Sequence, residues 1–412
     1  MKKDSQKSNE KNRQNVACDY IRENYADRLR YDLIAKKVQI FKPHPDTGKE
    51  QWFYISNADI NSIVCDACRE TGAAITAREV LTVLNAGEHY IQQCNPLKDY
   101  VLSLSPHTSA TDWIDMLASQ VTVASGSKEL WRICFKKWFV GMVASWVKEG
   151  VVNQHVLVLV GKQGIYKTTW LEKILPPVLR NYCNKLSNLS NITKDDRLKF
   201  CENALLNCDE LDSINQRELN VLKSLITTTE VCERAPYDHT KERRPRVASL
   251  CGSTNRMEFL TDQSGNRRWM PFLVEAIQSP FDTLIPYERI YAQALYLVEH
   301  DFNYWMDLSE INVLEQHNEE FRTQEGEEQL LPILFDLPAE GKGIFLTTAQ
   351  ISERLVSFGN IKNPMPSNRL GMVLSAAGYQ SVRKKINGVK LRGWSVYQRN
   401  SDEINAIRNI EN

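Results

Sequence analysis

The sequence has 412 residues, of which 42% are hydrophobic and 25% charged, a composition typical of a folded protein with two or three domains. Lysine plus arginine and aspartate plus glutamate number 51 each, so the formal net charge is zero. Only local clusters of charge can therefore indicate nucleic-acid binding. No apolar run is long enough for a membrane span or a secretory signal. We expect a cytoplasmic protein with reduced cysteines and no membrane partner.

The first part of the chain is predicted to be a polar, disordered tail over 1–15, followed by an α+β and helical domain over 16–149. The residue pattern predicts a β-hairpin over 31–55 and two short helices over 59–70 and 76–86. It also predicts a helical segment rich in tryptophan over 112–149. Thr76 and Glu79 have the spacing of a helix capping box. Cys65 and Cys68 form an isolated CxxC pair, for which core packing is favoured over a metal site.

Short β-branched runs separated by helical segments characterise the middle of the chain. The run VLVLV at Val156–Val160 is typical of a strand buried on both faces of a parallel sheet. Similar runs follow at 204–208, 247–251 and 270–274. This alternation predicts an α/β domain over 150–306, followed by a polar linker helix over 307–327.

The segment GKQGIYKTT follows the first of these strands and precedes a helical run. Glycines let a loop curl around phosphate, and the start of a helix presents N–H donors to it. The spacing from Gly161 to Lys167 and Thr168 matches the P-loop template, with Lys167 on the β/γ-phosphates and Thr168 on Mg²⁺. Tyr166 stands where the template has glycine. The residues expected to contact nucleotide are Gly161, Lys162, Gln163, Gly164, Ile165, Tyr166, Lys167, Thr168 and Thr169.

Polar residues also follow the later strands. LLNCDE ends in Asp209, expected to hold Mg²⁺, and Glu210, expected to polarise the attacking water. Asn255 follows the 247–251 strand, where an amide can orient water or contact the γ-phosphate. Arg267 and Arg268 are either a solvated pair, phosphate ligands, or arginine fingers that reach a neighbouring subunit.

This ordered set resembles the superfamily III helicase ATPases, and more narrowly the virulence-associated protein E-like family. The resemblance is carried by GKQGIYKTT, LLNCDE, the basic stretch after it, CGSTN and GNRRW. It implies an α/β P-loop core with AAA+-like topology, ATP and Mg²⁺ as cofactors, Asn255 as sensor, and either Arg267 or Arg268 as finger. It also implies DNA as partner, a homo-oligomer such as a hexameric ring, a mobile-element or phage setting, and a separate primase partner.

Two basic regions are candidate DNA contacts. Relatives in superfamily III place a DNA-contacting hairpin in the interval that here holds Lys241, Arg243 and Arg244; a charged surface loop is the alternative. Between 360 and 400 there are eight Lys or Arg residues and no Asp or Glu, an electrostatic footprint for nucleic acid.

The C-terminal region has three helical patterns followed by a hairpin signal at Asn387 and Gly388, which predicts a winged-helix DNA-binding domain over 328–400 and a tail over 401–412. A winged helix that binds protein is the alternative. The residues expected to contact DNA there are Arg369, Arg383, Lys384, Lys385, Lys390 and Arg392.

The sequence thus predicts an ATPase that drives work on DNA. The main alternative is a nucleotide-binding, DNA-binding module with weak or no turnover, favoured by Tyr166 because a bulky side chain can strain the loop. A small-molecule kinase shares the P-loop but leaves Asn255 and the basic C-terminal region without a role.

Overall fold

The computed structural model describes residues 2–86, 90–186, 192–209, 211, 216–234, 241–260, 266–323, 326–339, 343–362, 364–386 and 388–410. The chain divides into two units, Met1–Phe321 and Arg322–Asn412. Within the described residues, no helix combines the length and the apolar character that crossing a membrane requires.

The N-terminal part of the first unit is a small mixed sheet with helices packed on one face. Its elements are α1 Lys2–Tyr25, β1 Leu29–Asp32, β2 Lys37–Pro43, β3 Glu50–Tyr54, α2 Asn57–Thr71, α3 Ala77–Leu84, β4 Gln92–Cys94 and α4 Pro96–Leu102. The strand order is β3-β2-β1-β4, with only β4 parallel to its neighbour among the described strands. The predicted hairpin is confirmed as β2–β3, and the capping box of Thr76 and Glu79 is present at α3.

Helix α1 differs from the disordered tail expected over 1–15, since the helix begins at Lys2. Ala17, Tyr20 and Ile21 in its second half are buried in the same core as α2 and α3. The preceding residues include four Lys and two Gln, with Glu10 and Arg13; these residue types have high helix propensity and extend the anchored helix. The sequence therefore forms a helix where polarity alone predicts a tail.

The rest of the first unit is built on a central sheet. Its elements are α5 Trp113–Ala118, β5 Val121–Val123, α6 Lys128–Val147, β6 Val156–Val160, α7 Lys167–Glu172, β7 Cys183–Lys185, α8 Lys194–Glu202, β8 Leu205–Cys208, α9 Gln216–Thr227, β9 Glu230–Glu233, β10 Glu242–Pro245, β11 Ser249–Thr254, β12 Trp269–Ile277, α10 Tyr287–Glu299 and α11 Leu308–Asn318. The sheet order is β5-β12-β6-β11-β8-β7. Strand β5 is antiparallel to β12, and the other pairs are parallel.

Strand β6 is buried on both faces, as its unbroken apolar run predicts. Leu157 and Leu159 belong to one hydrophobic cluster, and Val156, Val158 and Val160 belong to another. The mixed α/β class with a parallel sheet is therefore confirmed. Since parallel strands end at one edge, the residues after β6, β8 and β11 are brought together.

The region 112–149 differs from the single helical segment that its pattern predicts, because β5 separates α5 from α6. Val121 and Val123 are buried while Thr122 is exposed, the alternation of a strand. The tryptophans of α6 are core residues, as expected: Trp138 is buried, and its indole N–H donates to the carbonyl of Leu250 at 3.0 Å. The expected boundary at 149 thus falls between elements that share one core.

Helix α11 lies in the region expected to be a linker. Its buried Asn318 donates to the carbonyls of Asn266 and Trp269, at 2.8 and 3.0 Å. Leu314 and Asn318 are the buried residues of this helix, and they pack it on the start of β12.

The second unit has its own hydrophobic core. Its elements are α12 Gly326–Leu334, β13 Phe335–Asp336, β14 Ile344–Leu346, α13 Thr348–Gly359, α14 Ser367–Ala376, β15 Gln380–Ile386, β16 Val389–Gln398 and α15 Ser401–Ile410. Strand β16 pairs antiparallel with β13, β14 and β15. The expected C-terminal tail is helical to Ile410 because Ile404 is buried in this core. Asn387 lies outside the described residues, and Gly388 at the turn has φ 85°.

Candidate functional site

The candidate site lies at the carboxyl edge of the central sheet, where a loop joins β6 to α7. A side chain at Gly161 would place its Cβ 2.6 Å from the carbonyl oxygen of Val274, so only glycine fits there. Gly164 has φ 86°, a left-handed conformation that glycine adopts at little cost. Lys162 and Gln163 are exposed, while Ile165 and Thr169 are partly buried. The glycines therefore set the path of this loop.

Lys167 is the first residue of α7 and is only 7% exposed. Its ammonium group donates to the carbonyls of Gly161 and Lys162, both at 2.7 Å. It also donates to the side-chain oxygen of Asn255 at 3.0 Å. The structure thus joins two residues that the sequence separates by 88 positions.

Asp209, directly after β8, is the centre of a second group. One of its carboxylate oxygens accepts from the hydroxyl of Thr168 at 3.2 Å and from that of Ser253 at 3.1 Å. The two hydroxyl oxygens are 3.1 Å apart. These three side chains form a set of hard oxygen ligands suited to a divalent cation. Glu210, the predicted water-polarising residue, lies outside the described residues.

Two further residues at this edge are missed by sequence reasoning. Ser253 lies inside the CGSTN segment, in which only Asn255 was predicted to be a site residue. Lys185, the last residue of β7, places its ammonium 3.4 Å from the second Asp209 oxygen and 3.1 Å from a carboxylate oxygen of Glu172. The hydrogen bond to Glu172 raises the pKa of Lys185. The charges of Glu172 and Asp209 add to this effect, and burial opposes it. No local pattern marks this lysine; only the position of β7 beside β8 does.

Tyr166 has φ 68° and ψ 16°, the left-handed conformation. Its side chain is 43% exposed and meets the ring of Phe281 edge-on, with 6.1 Å between ring centroids. The backbone of this tyrosine thus has a glycine-like conformation, while its ring lies at the surface.

Arg267 and Arg268 lie at the opposite edge of the sheet. They precede Trp269, which pairs with Val156 at the amino end of β6. The five residues of β6 therefore separate them from the loop, a length of roughly 16 Å. Both line a cavity of about 480 Å³ together with His155 and Trp305. Burial first, and then the charges of Lys137 and Arg268, lower the pKa of His155 to about 4.

The predicted hairpin interval contains β9 and β10, which pair antiparallel. Lys241 is exposed, and Arg243 is exposed with Glu230 at 4.0 Å. Arg244 differs from the DNA contact expected of it, because it is only 4% exposed. Its guanidinium donates to Glu202 at 2.8 Å and to Glu242 at 2.9 Å. A buried cation held by two carboxylates serves packing rather than contact with phosphate.

The ribbon β15–β16 separates its charges by face. Arg383 pairs directly with Arg392, and Lys385 with Lys390. Because side chains alternate along a strand, these four residues share one face, here called the basic face. The other face carries Lys384 and the exposed apolar residues Val382, Ile386, Val389 and Leu391. Arg369 lies on α14 and is partly buried.

Comparison with solved structures finds distant likenesses. The apo structure of the NrS-1 C-terminal region has a TM-score of 0.45 and 11% identity, covering 90% of this chain and 96% of that chain. Its A form has a TM-score of 0.44 and 10% identity over the same shares. SCCmec type IV Cch, an active helicase, has a TM-score of 0.35 and 9% identity, covering 89% and 92%. No curated protein matches the sequence.

Comparison with protein families gives a direct assignment. Residues 105–323, more than half of the chain, match the model of the virulence-associated protein E-like domain. The matched segment includes the loop after β6, Asp209, Asn255 and the arginine pair. The chain belongs to the virulence-associated protein E-like family.

Proposed function

We propose that this protein is a P-loop ATPase that drives work on DNA, as a helicase or replication initiator of a phage or other mobile element. One observation carries the proposal: Lys167 meets Asn255, and Thr168 and Ser253 meet Asp209, at the edge where the loop after β6 opens. A buried lysine on a glycine-shaped loop, beside a hydroxyl and a carboxylate, is the arrangement that a triphosphate with Mg²⁺ requires.

The sheet order supports this assignment. The loop follows β6 in the middle of the sheet, and β11 lies between β6 and the strand that ends at Asp209. This order places Asn255 between the lysine and the acid, where an amide can contact a γ-phosphate. We therefore assign an AAA+-like topology of the superfamily III type to the core, with β5 and α11 added to the expected range 150–306.

The residues present fit ATP and Mg²⁺. The Lys167 ammonium, which lies on the carbonyls of Gly161 and Lys162, is placed to neutralise the β- and γ-phosphates. Thr168, Asp209 and Ser253 offer oxygen ligands for Mg²⁺, directly or through water. Bound Mg²⁺ supplies neutralisation of charge on the transferring phosphoryl group. Glu210 polarises the attacking water, and Asn255 orients it.

The arginine pair is assigned to the neighbouring subunit. Within one chain, β6 separates Arg267 and Arg268 from Lys167, so neither reaches the loop of its own subunit. In a head-to-tail ring, the edge that carries them faces the loop of the next subunit. One of the two then stabilises transition-state charge as an arginine finger.

DNA contact is assigned to two surfaces. Lys241 and Arg243 of the β9–β10 hairpin are exposed, and basic side chains there grip phosphates without reading bases. In the second unit, α12, α13 and α14 followed by the β15–β16 ribbon support a winged helix, with α14 as recognition helix. A primase partner is part of the proposal, as the family resemblance implies.

The alternative is a nucleotide-binding module with weak or no turnover, and Tyr166 is the observation that favours it. Against it, Tyr166 adopts the left-handed conformation, and its ring packs on Phe281 at the surface. A loop shaped in this way supports phosphate binding despite the missing glycine.

Steady-state ATP hydrolysis, with and without single-stranded DNA, tests the proposal. Lys167→Ala should abolish nucleotide binding, and Glu210→Gln should retain ATP while turnover falls by roughly 10²-fold or more. Lys194→Ala, an exposed lysine at the start of α8, is the control and should match wild type. Turnover that is absent in wild type, or equal in wild type and Lys167→Ala, contradicts a motor. Normal hydrolysis by Glu210→Gln refutes the role of that residue alone.

A further inference from the structure

Two aromatic rings are exposed beside the loop, outside the set of residues assigned above to phosphate or metal. Phe281 is 70% exposed, and its ring meets that of Tyr166 at an interplanar angle of 76°. A single exposed aromatic residue is ordinary, but two in contact at the rim of a polar site indicate a binding surface. Their position makes the surface part of the same site, because Tyr166 directly precedes Lys167.

Phe281 is held in place from below. The Lys173 ammonium lies 4.0 Å from the centroid of the Phe281 ring, and it donates to the carbonyl of Pro280 at 2.7 Å. The hydroxyl of Tyr287 donates to the carbonyl of Lys173 at 2.7 Å. These contacts tie the segment after β12 to the end of α7. The ring is therefore a positioned platform rather than a free side chain.

The distance along α7 suits a nucleotide. Lys173 lies six positions after Lys167, which is roughly 9 Å along the helix axis. A nucleotide whose terminal phosphates lie at Lys167 and Thr168 extends its ribose and base outward from the loop. Phe281 lies over Lys173 and contacts Tyr166, the residue before Lys167, so its ring is at the rim of the loop from which that base would extend.

We infer that the ring of Phe281, with the Tyr166 ring set at a steep angle beside it, is a platform on which the nucleobase stacks; this inference rests on the proposed nucleotide function. An aromatic ring in contact with a base gains from overlap of π-faces, which every base offers. The Lys173 ammonium beneath Phe281 is a cation–π contact that fixes the ring. Because stacking does not read hydrogen-bonding groups, the platform accepts adenine and guanine with similar affinity.

Calorimetric titration of the full chain with MgATP, MgGTP and inorganic tripolyphosphate separates base from phosphate. Phe281→Ala should weaken ATP and GTP about tenfold and leave tripolyphosphate unchanged. Phe281→Trp, which keeps a stacking ring, should retain wild-type affinity. Leu284→Ala is the matched control, because Leu284 lies in the same segment and is 90% exposed.

The outcomes distinguish the two proposals. Equal weakening of ATP and tripolyphosphate by Phe281→Ala, or unchanged ATP affinity, overturns the platform while the phosphate site stands. Wild-type protein that binds ATP no more tightly than tripolyphosphate overturns it as well. If wild type binds none of the three ligands, the nucleotide function fails, and the platform fails with it.

Discussion

Tyr166 is a non-glycine residue in the left-handed conformation, at the position where the P-loop template has glycine. For an L-residue this conformation costs roughly 1–2 kcal/mol. Such strain at a loop next to a buried lysine persists only because the surrounding contacts hold it. The strain is thus localised at the residue directly before Lys167.

Replacing Tyr166 should reveal this strain. Tyr166→Ala and Tyr166→Gly both remove the ring contact with Phe281, but only glycine relieves the backbone. The free energy of unfolding of Tyr166→Gly should therefore exceed that of Tyr166→Ala by about 1 kcal/mol. Urea unfolding of the two variants measures the difference. An alanine variant as stable as the glycine variant excludes strain at this position.

Site residues differ in how far sequence predicts them. Lys167, Asp209 and Asn255 follow strands at recognisable spacings, and the structure brings them to one edge. The sequence does not reveal the positions of Ser253 and Lys185 at the site, because each contacts Asp209, which follows a different strand. Arg244 shows the converse: its residue type suggests phosphate contact, whereas its burial between two glutamates excludes a free guanidinium.

At the scale of elements, the β15–β16 ribbon places like charges directly opposite one another. Arg383 faces Arg392 and Lys385 faces Lys390, an arrangement that destabilises a bare ribbon. The negative phosphates of a polyanion on the basic face would offset that repulsion, and each phosphate contact also releases a counterion. The register of the ribbon thus favours nucleic acid as partner over an uncharged protein surface.

The basic face should contribute to the salt dependence of DNA affinity. Replacing both Lys385 and Lys390 with Gln should lower duplex affinity and reduce the slope of log K against log salt by about 2. Lys384 was also expected to contact DNA, but it lies on the opposite face of the ribbon. Lys384→Gln is therefore the matched comparison and should change the slope little. Binding isotherms at salt concentrations from about 50 to 200 mM measure both the duplex affinity and the slope. An equal effect of the control would mean that the two faces do not differ in DNA contact.

Elements with a strong local pattern are predicted well from sequence. Strand β6 and helix α3 with its capping box have the expected positions. Strand β5 is missed because it has only three residues between two helices, too few for the alternation of a strand to be recognised in the sequence. Its position in the central sheet is decided by pairing with β12.

At the scale of the whole molecule, the two halves of the proposed catalytic site lie at opposite edges of one sheet. Lys167 is at the carboxyl edge, and Arg267 and Arg268 are at the amino edge. Under the proposed mechanism, a complete site is therefore formed by two copies of the chain, arranged head to tail.

Mixing variants tests this requirement. Lys167→Ala and an Arg267→Ala or Arg268→Ala variant should each be inactive alone. An equal mixture that reassembles at random should recover about a quarter of wild-type sites, because an interface needs one intact half from each subunit. ATP turnover after mixing measures the recovery. A mixture no more active than its components contradicts action between subunits.

The sequence by itself determined the elements whose signals are local: the buried strand, the glycine loop with its lysine, the acid after β8, and the cationic segment near the C-terminus. It also determined their order, from which the family resemblance follows. Only the tertiary structure decided which side chains meet. Strand order and register join residues that are tens of positions apart, so Ser253 and Lys185 reach Asp209. For the same reason, four of the five cations of the ribbon share one face, and the arginine pair lies one strand length from the loop.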